Sequence, residues 1–128
     1  MSMIIVGAGP GLSDAIARTF AAHGHPVGLI ARTASRLEAL KERLERVGAS
    51  VGIAVADASD DDALRATIDD LSARIGAPSV LVYNAAVSGR HKPSELDAST
   101  LLHELHVDVV GALVAANHVA PAMIAAGE

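Results

Sequence analysis

The chain has 128 residues, a mass of 13.0 kDa and a net charge of −5, the size of one domain of about 100–150 residues. It is 51% hydrophobic and 20% charged, which excludes an intrinsically disordered chain. The lack of cysteine excludes a disulfide scaffold, a cysteine-ligated zinc and a thiol nucleophile.

Alanine occurs 26 times, while Phe20 and Tyr83 are the only aromatic residues. Such a core suits helices packed closely on a parallel sheet and gives single-stranded nucleic acid nothing to stack on. No basic tract exists for a phosphate backbone, so nucleic acid is not an expected partner. Residues 1–6 have no basic n-region and too short an apolar run for a signal peptide. The expected location is cytoplasmic.

The elements follow in chain order. Ile4–Val6, a short apolar run before a glycine, predicts a strand buried on both faces. Asp14–His23 predicts a helix with Ile16, Ala17 and Phe20 inward and Gly24 as its stop. Val27–Ala31 is a second buried strand. Ser35 and Glu38 have capping-box spacing and open a helix whose apolar face is Leu37, Leu40, Leu44 and Val47, with Gly48 ending it. Val51–Ala56 is a third strand. Ser59 and Asp62 form a second capping box for a helix facing Leu64, Ile68, Leu71 and Ile75 inward, closed by Gly76 and Pro78. Ser79–Val82 with Tyr83 is a fourth strand. After a loop, Asp97 caps a last helix to about Ala126.

Strands alternating with helices imply an open parallel sheet with right-handed crossovers, in one α/β domain over residues 1–128. The window from Val109 to Ala126 is the most apolar. Asn117, His118 and Pro121 interrupt it, so a buried helix rather than a membrane span is expected. Pro121 is expected to kink that helix or sit at a tolerated break.

The first strand leads into Gly7-Ala8-Gly9-Pro10-Gly11-Leu12-Ser13 and then a helix. Glycines make a tight βα turn, and they also let a phosphate approach the backbone while the helix N-terminus presents free N–H groups. Read as Gly-x-Gly-x-x-Gly, the third position is Leu12. Flavoproteins and methyltransferases use similar turns, usually with an acid at the end of the second strand for ribose hydroxyls. Here that end is Ala31-Arg32-Thr33, with Arg32 21 residues after Gly11. Arginine there pairs with a 2′-phosphate, which favours NADP over NAD and weakens a methyltransferase reading.

With these residues in order, the chain resembles the N-terminal half of the short-chain dehydrogenases/reductases over essentially its whole length. The family's Thr-Gly-x-x-x-Gly-x-Gly turn corresponds to Val6 through Ser13, with Val6 in place of Thr and Ser13 in place of the last Gly. Asp57-Ala58 resembles the family's pair after strand three. Tyr83-Asn84-Ala85-Ala86 resembles Asn-Asn-Ala-Gly after strand four. Val107-Asp108-Val109-Val110-Gly111 resembles Val-Asn-x-x-Gly.

The resemblance implies a Rossmann-type doubly wound sheet of about four strands in the order 3-2-1-4. In the implied dinucleotide site Gly7, Gly9 and Gly11 face the pyrophosphate, Arg32 the 2′-phosphate, Asp57 the adenine, and Asn84 and Ala85 the ribose side, with Pro10, Leu12, Thr33, Ala58 and Ala86 as further cofactor-binding residues. Ser13 is expected to crowd the pyrophosphate or donate to it. Asp108 stands where the family has a catalytic-network Asn; a carboxylate only accepts hydrogen bonds, which puts a proton relay through it in doubt.

The family's chemistry also needs a Ser after strand five and a Tyr-x-x-x-Lys. The lysines are Lys41 and Lys92, and Val87 stands four residues after Tyr83, so no catalytic residue is assigned. The chain looks like the front half of an enzyme about twice as long, whose substrate would be a small carbonyl or alcohol. The alternative is a non-catalytic dinucleotide-binding or dimerising protein. The fourth strand would be an open edge and the last helix an apolar face, and the family uses that helix at a subunit interface, so a homo-oligomer is expected.

Three other constellations carry less. His103 and His106 lie one helical turn apart without a third ligand at a matching offset, so no metal is expected. Asp60-Asp61-Asp62 suits a first helical turn, where negative charge complements the dipole. His23 and His25 flank a turn and are expected at the surface, and Tyr83 is expected to pack.

Overall fold

Strand and helix alternate along the whole chain in the computed structural model, which describes residues 1–87, 89 and 91–127. The strands are β1 (Met3–Val6), β2 (Val27–Ala31), β3 (Val51–Val55) and β4 (Val80–Tyr83). The helices between them are α1 (Leu12–Ala22), α2 (Ala34–Glu45) and α3 (Asp61–Ile75). The last helix is α4 (Ala98–Leu105), which passes through a π-helical turn at His106–Val110 into α5 (Gly111–Ala126).

All strand pairs are parallel and the order is β3-β2-β1-β4, as the resemblance implies. β1 is central, and Ile5 pairs with Leu29 on one side and Val82 on the other. Its residues are 0–1% exposed, so the apolar run without polar alternation is explained by burial on both faces. The period of two sorts them. Met3 and Ile5 join Ala17 and Ala21 of α1 and Leu37, Leu40 and Leu44 of α2. Ile4 and Val6 join Leu64, Ile68 and Leu71 of α3 and Val107, Ala115 and Val119 of the last helix. The sheet is therefore covered on both faces.

Two expected caps lie elsewhere. Thr33, not Ser35, is the N-cap residue of α2, and it makes no side-chain cap bond. The burial of Leu37, Leu40 and Leu44 sets the helix register and puts Ser35 inside the first turn. At α3 the cap is Asp60, which accepts from the Ala63 N–H at 3.0 Å. Ser59 is engaged instead with Asp57, to which its N–H and hydroxyl donate at 2.9 and 2.8 Å. Val47 is exposed, because α2 ends at Glu45 before the apolar phase reaches it. Asp97 caps α4 as expected, accepting from the Thr100 N–H at 2.8 Å.

The last helix is not buried all round. Its buried residues, Val107, Gly111, Ala115 and Val119, fall on one stripe at four-residue steps, while Leu102, Val109 and Leu113 are exposed. By length and composition this helix is apolar enough to cross a membrane, and only 17% of its most apolar window is buried. Helix α5 continues through Pro121.

Candidate functional site

The glycine turn is wedged between the ends of two strands. The N–H groups of Gly7 and Ala8 both donate to the Ile30 carbonyl at 2.9 Å, at the end of β2. The Asn84 N–H, just past β4, donates to the Val6 carbonyl at 2.8 Å. Gly7 has φ +83°, and a Cβ there would lie 2.6 Å from the carbonyl carbon of Asn84, so only glycine serves. Gly9 and Gly11 face open space where a Cβ would be.

Gly11 opens α1 without a side-chain cap, leaving first-turn N–H groups for an external acceptor. Asp14 is an acid in that first turn, and its Oδ1 lacks a hydrogen-bond partner among the described residues. Arg18 at 3.6 Å and Arg43 at 3.5 Å offset its charge.

Ser13 neither crowds nor faces the turn's open side. It is 1% exposed; its hydroxyl donates to the Gly7 carbonyl at 3.0 Å and accepts from Asn84 Nδ2 at 2.8 Å. The hydroxyl is used up inside the protein, because the α1 side chain points back under the turn.

A cleft of about 240 Å³ opens at the carboxyl ends of the strands, where ligands bind in open α/β sheets. Of the residues expected from the sequence, Gly7, Gly9, Arg32, Thr33, Asp57, Ala58, Asn84, Ala85 and Ala86 all line it. Pro10 lines an adjoining groove with Arg36 and Arg43, while Gly11 and Leu12 begin α1 outside the cleft lining. Arg36 and Val107 line the cleft and were not singled out by the sequence. Arg36 lies in the first turn of α2, just past Arg32 and the N-cap Thr33, and the start of the helix brings it to the cleft.

Among the described residues, Arg32 and Arg36 make no ion pair. Asp57, which also lines the cleft, is held below the ordinary carboxyl value. The Ser59 N–H is the largest cause, burial acts against it, and the Ser59 hydroxyl and the positive charges of Arg32 and His103 add to it.

Behind the lining residue Val107, the Tyr83 hydroxyl donates to the Val107 carbonyl of the π-helical turn. Asp108 Oδ1 accepts from the Val87 N–H at 2.8 Å, and His106 Nε2 lies 2.8 Å from Asp61 Oδ1. Thus β4, the loop after it and the start of α3 all tie to one turn, and Tyr83 is engaged rather than free to act as an acid. Asp108 uses its acceptor on the backbone. His103 and His106 are not gathered with a third ligand, and among the described residues no three His, Asp or Glu side chains form a metal-ligand group. Asp61 and Asp62 sit in the first turn of α3, while His23 is exposed and His25 packs against Phe20.

Open backbone at Gly9 and Gly11, an uncapped helix N-terminus and two arginines without an ion-pair partner among the described residues have the chemistry to hold a dinucleotide. The family model for short chain dehydrogenase matches residues 2–128. Galactitol 2-dehydrogenase (L-tagatose-forming) from Cereibacter sphaeroides is 34% identical over 124 residues, covering 96% of this chain and 47% of that protein. Cis-4-hydroxycyclohexanecarboxylate dehydrogenase from Sinomonas cyclohexanicum is 29% identical over 125 residues, covering 97% of this chain and 50% of that protein. Among solved structures, a Serratia marcescens short-chain dehydrogenase/reductase superposes with a TM-score of 0.87 at 28% identity, covering 95% of this chain and 50% of that one. The chain spans about half the length of these relatives. With fold, turn and family model in agreement, the chain belongs to the short-chain dehydrogenases and carries their NAD(P)-binding oxidoreductase fold.

Proposed function

We propose that the cleft binds NADP in preference to NAD, and that the chain is the dinucleotide-binding half of an oxidoreductase acting on a small carbonyl or alcohol. The supporting observation is the pair Arg32 and Arg36, which line one end of the cleft with no ion-pair partner among the described residues. A phosphomonoester is a dianion near neutral pH, and two guanidinium groups lining the same cleft, one just before α2 and one in its first turn, suit it. The turn around Gly9 and the α1 N-terminus take the pyrophosphate. Asp57 takes the adenine side, and Asn84 to Ala86 the ribose side.

The bound nicotinamide supplies hydride chemistry. Residues 1–128 bind and orient it, and they contain no Tyr-x-x-x-Lys for proton transfer. In this reading the proton-transfer groups and the substrate contacts come from outside these residues. Calorimetric titration with NADPH and NADH tests the binding claim. Tighter NADPH binding is expected, whereas equal or tighter NADH binding overturns the preference.

A second reading is self-association as a non-catalytic partner. Leu102, Leu105, Val109 and Leu113 lie along the last helix at three- and four-residue spacing, 67%, 45%, 58% and 60% exposed. An apolar stripe of this kind marks a protein interface, and a second copy presents the same stripe. Sedimentation across a concentration series is expected to show a dimer; a monomer at all concentrations removes this reading.

A further inference from the structure

We propose that Ser13 is a positioning residue for the dinucleotide, holding the Asn84 carboxamide with Oδ1 outward to accept from a ribose hydroxyl. The inference rests on the dinucleotide reading above. It follows from counting protons. The Gly7 carbonyl only accepts, so the single Ser13 hydroxyl proton goes to it, at 3.0 Å. Ser13 Oγ is then left as an acceptor, and the group of Asn84 that meets it, at 2.8 Å, is the Nδ2 donor. The carboxamide is thereby oriented, with nitrogen toward the buried hydroxyl and oxygen left for the cleft that Asn84 lines.

An outward oxygen accepts from hydroxyl donors and repels phosphate oxygens. Asn84 therefore selects the sugar rather than the pyrophosphate. Asn84 is exposed while Ser13 is 1% exposed, so the tether removes rotamer freedom that an exposed asparagine otherwise loses on binding. A glycine at position 13 has no hydroxyl and leaves the carboxamide free to turn.

The test titrates the whole chain with NADPH and, separately, with inorganic pyrophosphate, which has no hydroxyl to donate. Ser13→Ala and Asn84→Ala are each expected to weaken NADPH by about tenfold, the scale of one hydrogen bond of about 1–1.5 kcal/mol. The double variant is expected to bind no worse than Asn84→Ala alone, because the two residues act as one unit. Pyrophosphate affinity is expected to stay unchanged throughout.

Unchanged NADPH affinity in Ser13→Ala overturns the proposal. So do losses that multiply in the double variant, or pyrophosphate losses in parallel, which mark a purely structural role for Ser13. If Ser13→Ala does not fold, Asn84→Ala carries the test, since its exposed side chain is removed without opening a core cavity. Full NADPH affinity in that variant overturns the proposal. A wild-type chain that binds no NADPH defeats the dinucleotide reading itself, whereas wild-type binding with unaffected variants defeats only the role of Ser13.

Discussion

The Tyr83 hydroxyl takes over the carbonyl of Val107 that the last helix gives up. In an α-helix the Gly111 N–H would donate to Val107; here it donates to the His106 carbonyl, one residue further back. The widened turn deprives Val107 of its α-helical partner, and the end of β4 supplies a phenol in its place. Gly111 lets the loop after β3 come close, since a Cβ there would lie 2.6 Å from the Ala58 carbonyl oxygen.

Tyr83→Phe is therefore expected to lower unfolding stability by about 1–2 kcal/mol, the cost of an unmet buried carbonyl. Gly111→Ala is expected to cost more, because backbone as well as side chain must move. Urea unfolding of both variants checks the order. A Tyr83→Phe chain as stable as the wild type removes the claimed role of the phenol.

The surroundings of Tyr83 set a pH response. Burial pushes the Tyr83 phenol above its ordinary value of 10.0, and the carboxylates of Asp108, Asp57 and Asp61 add to the rise. A raised acid favours its neutral form in the folded state. The stability it contributes is thus fully present below about pH 10 and is lost as pH climbs through the folded value. Tyr83 is the only tyrosine, so the phenolate absorption band reports it alone. Its midpoint is expected above that of the urea-unfolded chain, and Asp108→Asn is expected to lower it. Coincident folded and unfolded midpoints contradict this assignment.

Asp57 works at the other end of the scale. Its folded carboxyl value is depressed, mainly by the Ser59 N–H. The stability it contributes is present above the unfolded value of 3.8 and is lost as pH falls through the folded one. Ser59→Ala keeps the N–H but removes the hydroxyl, so the Asp57 titration followed by NMR is expected to move up while staying below the unfolded value. No movement in Ser59→Ala would mean that the hydroxyl adds nothing.

How much of this the sequence discloses depends on the range of the interaction. The alternation of strand and helix rests on short apolar runs and helix spacing, which are local, and Ile4, Leu29 and Leu64 stand where those patterns put them, whereas the strand order came with the family resemblance. The capping-box spacing of Ser59 and Asp62 points to Ser59 rather than Asp60, because the engagement of Ser59 with Asp57 depends on the path of the loop after β3. The last helix misleads for the opposite reason. Its composition is apolar on several faces, yet α3 and β4 cover only the stripe through Gly111 and Ala115. The Ser13–Asn84 bond joins residues 71 positions apart, and no local pattern encodes it.

Arg36 shows the same limit and gives the sharpest prediction about the cleft. On sequence it is one charged residue on an amphipathic helix, and only the start of α2 at Ala34, directly after Thr33, brings it to the cleft beside Arg32. If both arginines meet the 2′-phosphate, Arg32→Ala and Arg36→Ala each remove one charge-assisted contact of about 1.5–3 kcal/mol. Each variant is then expected to weaken NADPH by about tenfold to a hundredfold while leaving NADH nearly unchanged. Arg36→Lys is expected to recover only part of the loss, because an ammonium lacks the planar fork. Parallel titrations with the two nucleotides separate this from general damage, which weakens both. If Arg36→Ala keeps the wild-type ratio of NADPH to NADH affinity while Arg32→Ala loses it, the phosphate is held by Arg32 alone.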